Sequence, residues 1–351
     1  MAVAEALMKV SSSSRRNFMR ALCASAAGAI TTPFSNSYVR AFIPGYQASE
    51  RGFNHPFFAR SNHPDVIAHR GGDGERPGET MLAMQHAFDL NADVLEMDVY
   101  LTKDGHLVLM HDLLVSKTTE MDGPIRRFYP VHEFTLEELQ HLNAGYHWPR
   151  GGQKDDNFSG IRFSELKDDY KNRLRVPALR EVIGTFPKKR MNIEMKPALT
   201  SPVDALATLI RECELTENVL VASFWHPYLK KLRSQVPKVA TSASAEELIK
   251  YILEGKRPNA DAIQVTPQIT AELKKRKIIR WSIITQEFVE RCHRDNLPVH
   301  AWTINQTHEM TRLTDLGTDG IITDYPTCLL ETLGRPVPEG ARCSQTTSPS
   351  G

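Results

Sequence analysis

No run of about 20 consecutive apolar residues occurs in this 351-residue chain, so the sequence supplies no membrane-spanning helix. It has little excess of either charge: 43 Lys and Arg stand against 42 Asp and Glu, a formal net charge of +1, which gives no basic field for nucleic acid or anionic lipid. The five cysteines, Cys23, Cys213, Cys292, Cys328 and Cys343, lie far apart and form no C-x-x-C pair, which indicates neither a zinc site nor a disulfide-dense scaffold. That spacing still leaves room for a disulfide among the last four. Internal repeats and coiled-coil heptads are also lacking. What is present is an ordinary globular composition, 41% hydrophobic and 24% charged, at a length that suits one α/β barrel of roughly 250 residues with extra segments.

The N-terminus reads as an address. Ser14-Arg15-Arg16-Asn17-Phe18-Met19-Arg20 resembles a twin-arginine export motif, and the run from Ala21 to Ile30 is apolar and free of acidic residues. Residues 1–30 are therefore expected to be a signal peptide, directing the protein to a periplasm or to the exterior. A disordered Ser/Arg-rich tail or an organellar transit peptide is the competing expectation. Residues 31–60 read as an arm, 61–336 as the main domain and 337–351 as a tail.

Within the main domain, short β-branched runs alternate with amphipathic stretches, as repeated βα units do. Eight runs fit: Val66–Ala68, Val94–Val99, Met191–Met195, Val219–Ser223, Lys238–Thr241, Ala262–Val265, Val299–Thr303 and Gly320–Thr323. The pattern predicts a (β/α)8 TIM barrel. Helices are expected at Thr80–Leu90, Val203–Cys213, Tyr228–Ser234, Glu246–Leu253, Glu287–Asp295 and Glu309–Leu316, with a capping box at Ser244-Ala245-Glu246-Glu247. Leu107–Met110 follows the turn Lys103-Asp104-Gly105 and is expected to return as a hairpin strand. The stretch 113–175 is too long for a loop and reads as a small insertion after the second βα unit.

Strand alternation groups the residues that carry chemistry. In Asp93-Val94-Leu95-Glu96-Met97-Asp98-Val99, Leu95, Met97 and Val99 share one face, and Glu96 and Asp98 share the other. In Asn192-Ile193-Glu194-Met195-Lys196, Glu194 and Lys196 likewise fall opposite Ile193 and Met195. Carboxylates converging in a barrel mouth are costly unless a cation or proton relieves them, and three oxygen ligands suit Ca²⁺ or Mg²⁺ better than Zn²⁺. Interior salt bridges, Glu194 with Lys196 and another base with Asp98, fit either fragment taken alone. His69 ends the first strand and His111 ends the hairpin strand, positions from which an acid and base pair could act. Arg70 and Lys196 are candidate phosphate ligands, and Arg70 could equally pair with a carboxylate.

Together these residues resemble the glycerophosphodiester phosphodiesterase family. The matching segments are His69-Arg70-Gly71, Pro77-Gly78-Glu79-Thr80, Glu96-Met97-Asp98-Val99, Leu101-Thr102-Lys103-Asp104-Gly105, His111-Asp112 and Thr118-Thr119. Further on come Asn192-Ile193-Glu194-Met195-Lys196, Ala301-Trp302-Thr303-Ile304-Asn305 and Asp319-Gly320-Ile321-Ile322-Thr323-Asp324-Tyr325-Pro326. The resemblance implies a TIM barrel with an insertion after its second unit. It implies one divalent cation on Glu96, Asp98 and Glu194, His69 and His111 as general acid and base, phosphate contacts from Arg70 and Lys196, and Trp302 along the substrate pocket. Trp302 could instead be packing at the barrel mouth. One departure stands out: the family usually has Pro-Glu-Asn-Thr, so Gly78 and Glu79 replace its Glu and Asn. Support for the loop beside His69 should then differ, and Glu79 is not expected to be a ligand.

The expected reaction is hydrolysis of a small-molecule glycerophosphodiester to glycerol 3-phosphate and an alcohol. A lysophospholipase D acting on lysolipids is the alternative, motivated by Phe128, Tyr129, Phe134, Tyr146, Trp148, Phe158, Phe163 and Tyr170 in the insertion. Those aromatics could equally be the insertion's own core. A non-catalytic barrel binding phosphorylated ligands is a third reading, which loss of a carboxylate or a histidine would have favoured.

Overall fold

The structure, a computed structural model, describes residues 51–58, 62–121, 129–148, 157–267, 275 and 283–343. The expected signal peptide, residues 31–50 of the arm, Phe128 and the tail from 344 onward lie outside them.

Among the described residues the apolar runs form nine strands: β1 (Asp65–Ala68), β2 (Val94–Leu101), β3 (Leu107–Leu109), β4 (Arg190–Met195), β5 (Val219–Ala222), β6 (Ala240–Thr241), β7 (Ile263–Val265), β8 (Val299–Ala301) and β9 (Gly320–Thr323). Eight of them make a parallel sheet in the order β6-β5-β4-β2-β1-β9-β8-β7, while β3 returns antiparallel along β2 as the hairpin expected after Gly105. The sheet curls until its ends meet. Between β6 and β7 one parallel bridge, Ser242 to Ala262, joins them, backed by Asp261 N donating to Thr241 O at 2.8 Å and Ala243 N to Ala262 O at 2.9 Å. The expected (β/α)8 arrangement is thus present, with one thin, partly open seam.

The six expected helices form within two residues of their expected ends: Met81–Asp89, Val203–Glu212, His226–Gln235, Ala245–Glu254, Gln286–Arg294 and Thr307–Asp315. Ser244 and Glu247 make the expected capping box. Two further helices at Leu179–Thr185 and Pro326–Thr332 complete the βα units. Both are only seven residues long, too short for a clear helical period, and Pro326 occupies the first turn, where its missing N–H costs nothing.

Leu95, Met97, Val99, Ile193 and Met195 are fully buried under the helices, on the face opposite the acids. The barrel's lower interior holds Ile67, Val94, Leu220, Ala240, Ala262 and Ile322, and two residues of the N-terminal arm, Phe57 and Phe58, plug it. Arg190 locks that plug. Its guanidinium pairs with Asp65 at 2.6 and 2.8 Å, donates to Phe57 O at 2.9 Å and stands over the Phe57 ring. The end of the arm, through the adjacent Phe57 and Phe58, thus packs into the core.

The insertion folds on itself. Phe158 packs between Trp148 and Tyr170, with ring centroids 5.7 and 5.8 Å away, and Tyr129 packs on Phe134 at 6.1 Å. Glu120 ties its turns together by accepting from Asn143 N at 2.6 Å and Phe163 N at 2.7 Å. Phe134, Trp148, Phe158, Phe163 and Tyr170 thus pack into the insertion's own small cores. At the other end of the chain, Cys328 and Cys343 form a disulfide, one of the pairings left open among the last four cysteines. Cys213 and Cys292 are free thiols.

Candidate active site

The β2–β4 register decides which acids meet. Asp98 lies beside Glu194, and Glu96 lies beside Asn192. One carboxylate oxygen from each of Glu96, Asp98 and Glu194 falls within 4.8 Å of the others. Glu96 and Asp98 are almost completely buried. The salt bridges weighed as the bland alternative also form: Lys196 Nζ sits 3.0 Å from Asp98 Oδ1 and 3.1 Å from Glu194 Oε1, and Arg70 Nε sits 3.3 Å from Asp98 Oδ2. Fully ionised, as they would be around a cation, the three acids and two bases leave one negative charge, and Asp98 Oδ2 makes no hydrogen bond among the described residues. An all-oxygen, net-anionic donor set with a free lone pair fits a hard divalent cation.

The loop after β1 brings His69 and Arg70 to this cluster. Arg70 takes a left-handed backbone (φ 53°), uncommon for a residue with a side chain, and its N–H donates to Glu96 Oε2 at 2.8 Å. Gly71 follows because a Cβ there would lie 2.7 Å from the Ala83 carbonyl carbon. Gly78, the first departure from the usual motif, has a similar cause. A Cβ there would meet the Asp73 carboxylate at 2.6 Å, and that carboxylate accepts from Gly78 N at 3.0 Å while pairing with Arg70 at 3.2 Å. Glu79 is no member of the three-acid cluster. It is buried, left-handed (φ 61°), and accepts from Asp98 N at 2.9 Å.

His69 Nδ1 lies 2.5 Å from Asp324 Oδ1, and Asp324 is held by Asn305, whose Nδ2 donates at 2.6 Å and whose Oδ1 accepts from Asp324 N at 3.0 Å. With Nδ1 on the carboxylate, Nε2 is left for a substrate. Sequence reasoning missed Asp324 and Asn305 as functional residues, although both stood in segments it had singled out. His111 sits past the end of β3 with Nδ1 3.4 Å from Asp112 Oδ1. Both histidines border one cavity of about 270 Å³, together with Arg70, Glu96, Glu194, Lys196 and Trp302. Trp302 also packs edge-on against Phe224 at 5.5 Å, so the lining and packing readings both hold.

Electrostatics separates the acids. Burial and the neighbouring Asp98 push Glu96 up to about 7. Burial also raises Glu194 and, with Asp98 and Glu96 beside it, holds Glu79 well above the carboxylate range. Asp98 goes the other way, since Lys196 and Arg70 together overcome its burial. Burial works against a charged His69, but Glu96 and the hydrogen-bonded Asp324 outweigh it and raise its pKa.

Residues 69–328 match the model of the glycerophosphoryl diester phosphodiesterase family. The chain belongs to that family. A glycerophosphodiester phosphodiesterase from Caldanaerobacter subterraneus subsp. tengcongensis is 32% identical over 270 residues, which covers 76% of this chain and 96% of the relative. A human lysophospholipase D is 24% identical over 286 residues, covering 76% of this chain and 85% of its own. A phosphodiesterase from Oleispira antarctica, solved with its product sn-glycerol-3-phosphate, superposes with a TM-score of 0.54 at 22% identity, covering 78% of this chain and 97% of that one. All eight residues expected at the site of this glycerophosphoryl diester phosphodiesterase line the cavity or, as with Asp98, sit directly behind it.

Proposed function

We propose that this enzyme hydrolyses glycerophosphodiesters to glycerol 3-phosphate and an alcohol, using one Ca²⁺ or Mg²⁺ ion held by Glu96, Asp98 and Glu194. The convergence of those carboxylates and two histidines on one cavity carries the reading. A bound cation would neutralise a nonbridging phosphoryl oxygen and the charge that develops on it. Arg70 and Lys196, buried beside the acids and paired with Asp98, would add fixed positive charge for the same oxygens. One of His69 and His111 takes the proton of the nucleophile and the other protonates the departing alcohol oxygen; attack by water gives glycerol 3-phosphate directly, whereas attack by a neighbouring glycerol hydroxyl gives a cyclic phosphodiester that a water then opens to the monoester. Asp324 orients His69 and stabilises its charged form. Assay of a diester panel with and without chelator, alongside His111→Ala, tests the mechanism; activity that survives both treatments sinks it.

A lysophospholipase D activity is the second reading. Its support is the cavity's apolar wall of Phe224, Ala243, Leu248 and Ile322, together with the human relative, and no longer the aromatics of the insertion. Turnover of lysophosphatidylcholine without turnover of glycerophosphocholine would select it. The twin-arginine motif at Arg15-Arg16 supports export, and the Cys328–Cys343 disulfide suits an oxidising compartment outside the cytosol.

A further inference from the structure

His111 borders a second, much smaller cavity of about 20 Å³, shared with Arg70, Glu79 and Thr118. Three side-chain atoms of this lining are buried without a hydrogen-bond partner among the described residues: Glu79 Oε2, His111 Nδ1 and Thr118 Oγ1. Arg70 Nε, also short of a hydrogen bond, is held against Asp98 at 3.3 Å. Asp112 stands 3.4 Å from His111 Nδ1 but forms no hydrogen bond to it. Burying three such groups together is costly unless something satisfies them all. A space of this size admits one water molecule, and a water offers two donors and two acceptors, enough for a carboxyl oxygen, an imidazole nitrogen and a hydroxyl in any protonation state.

Glu79 explains why such a bridge belongs to this chain. It stands where the family usually carries Asn, and its side chain is one methylene longer. One oxygen accepts from Asp98 N at 2.9 Å while the other is left over on the cavity side. We infer that a single buried water joins Glu79 Oε2, His111 Nδ1 and Thr118 Oγ1, and that Glu79 and Thr118 act through it as positioning residues, fixing which His111 nitrogen faces the substrate cavity. The inference rests on the proposed acid or base role of His111. It adds two residues with no contact to substrate in that role.

Three variants of the full chain, saturated with Ca²⁺, test it. Thr118→Val removes only the hydroxyl, Glu79→Met removes both oxygens at similar volume, and Glu79→Gln keeps a hydrogen-bonding group at each end. The readouts are the ¹⁵N imidazole signals of His111, assigned by their loss in His111→Ala, and kcat and KM on glycerophosphocholine. Thr118→Val and Glu79→Met are expected to shift the His111 signals toward the other tautomer and to lower kcat about tenfold at nearly constant KM, whereas Glu79→Gln stays close to wild type. Unchanged His111 signals in Thr118→Val, or a Glu79→Gln protein as impaired as Glu79→Met, overturn the inference. If Glu79→Met fails to fold, Thr118→Val decides alone. A wild-type protein that turns over no diester would defeat the proposed function, while the ¹⁵N signals still decide the water bridge.

Discussion

The two ends of the barrel are built from the same strands and obey opposite rules. At the base, inward residues such as Val94, Leu220 and Ile322 are apolar and close on Phe57 and Phe58. Two and four residues further along β2, the same inward face carries Glu96 and Asp98, with left-handed backbone at Arg70 and Glu79 and unpaired buried atoms around them. The base collects hydrophobic stabilisation. The mouth spends part of it holding like charges together, as the cation- and phosphate-binding site proposed above requires.

Variants can break this division, the strongest at the mouth. His111→Ala is expected to cut kcat by about 10²- to 10⁴-fold. Its melting temperature should barely move, because the His111 side chain is one-third exposed; steady-state kinetics beside thermal melts check both. At the base, Phe57→Ala should do the reverse, costing about 3–5 kcal/mol in denaturant unfolding while kcat stays near wild type. A large loss of kcat in the folded variant would show that the two ends are coupled. Cys343→Ser, which opens a loop of sequence separation 15, should cost about 3 kcal/mol and leave catalysis intact.

The smallest effect is one of pH. Glu96 is pushed up to about 7 from an ordinary 4.5, so its burial penalty is absent below about pH 4.5 and complete above about pH 7. His69, raised above 6.5, contributes stability below that value and loses it as pH rises through its folded pKa. Both signs agree, while Asp98, lowered from 3.8, acts only in acid. Chelated protein should therefore melt at a lower temperature at pH 8 than at pH 6, and excess Ca²⁺ should narrow the gap. An equal gap with and without Ca²⁺ would argue against a cation on these carboxylates.

Period-two alternation made the mouth legible in the sequence, because Glu96/Asp98 and Glu194/Lys196 sit in short runs where facing is fixed once a strand is assumed. Contacts made across the ring were not legible. Nothing local ties His69 to Asp324, 255 positions away, or Asp65 to Arg190. The aromatic count of the insertion was visible but its direction was not, since the same residues serve a lid or a core equally well until packing is known. Phe57 and Phe58 went unread for a related reason: beside a polar arm, two apolar residues carry no period.

One pairing sets an order in time. β1 lies against β9 with Ala68 in register with Thr323, so His69 from the first strand meets Asp324 just after the last. A chain halted before residue 324 would already possess the three acids proposed to hold the cation, yet His69 would lack the Asp324 carboxylate. The contact that orients His69 thus becomes available only once Asp324 has been made, and a protein clipped ahead of that residue would lose it.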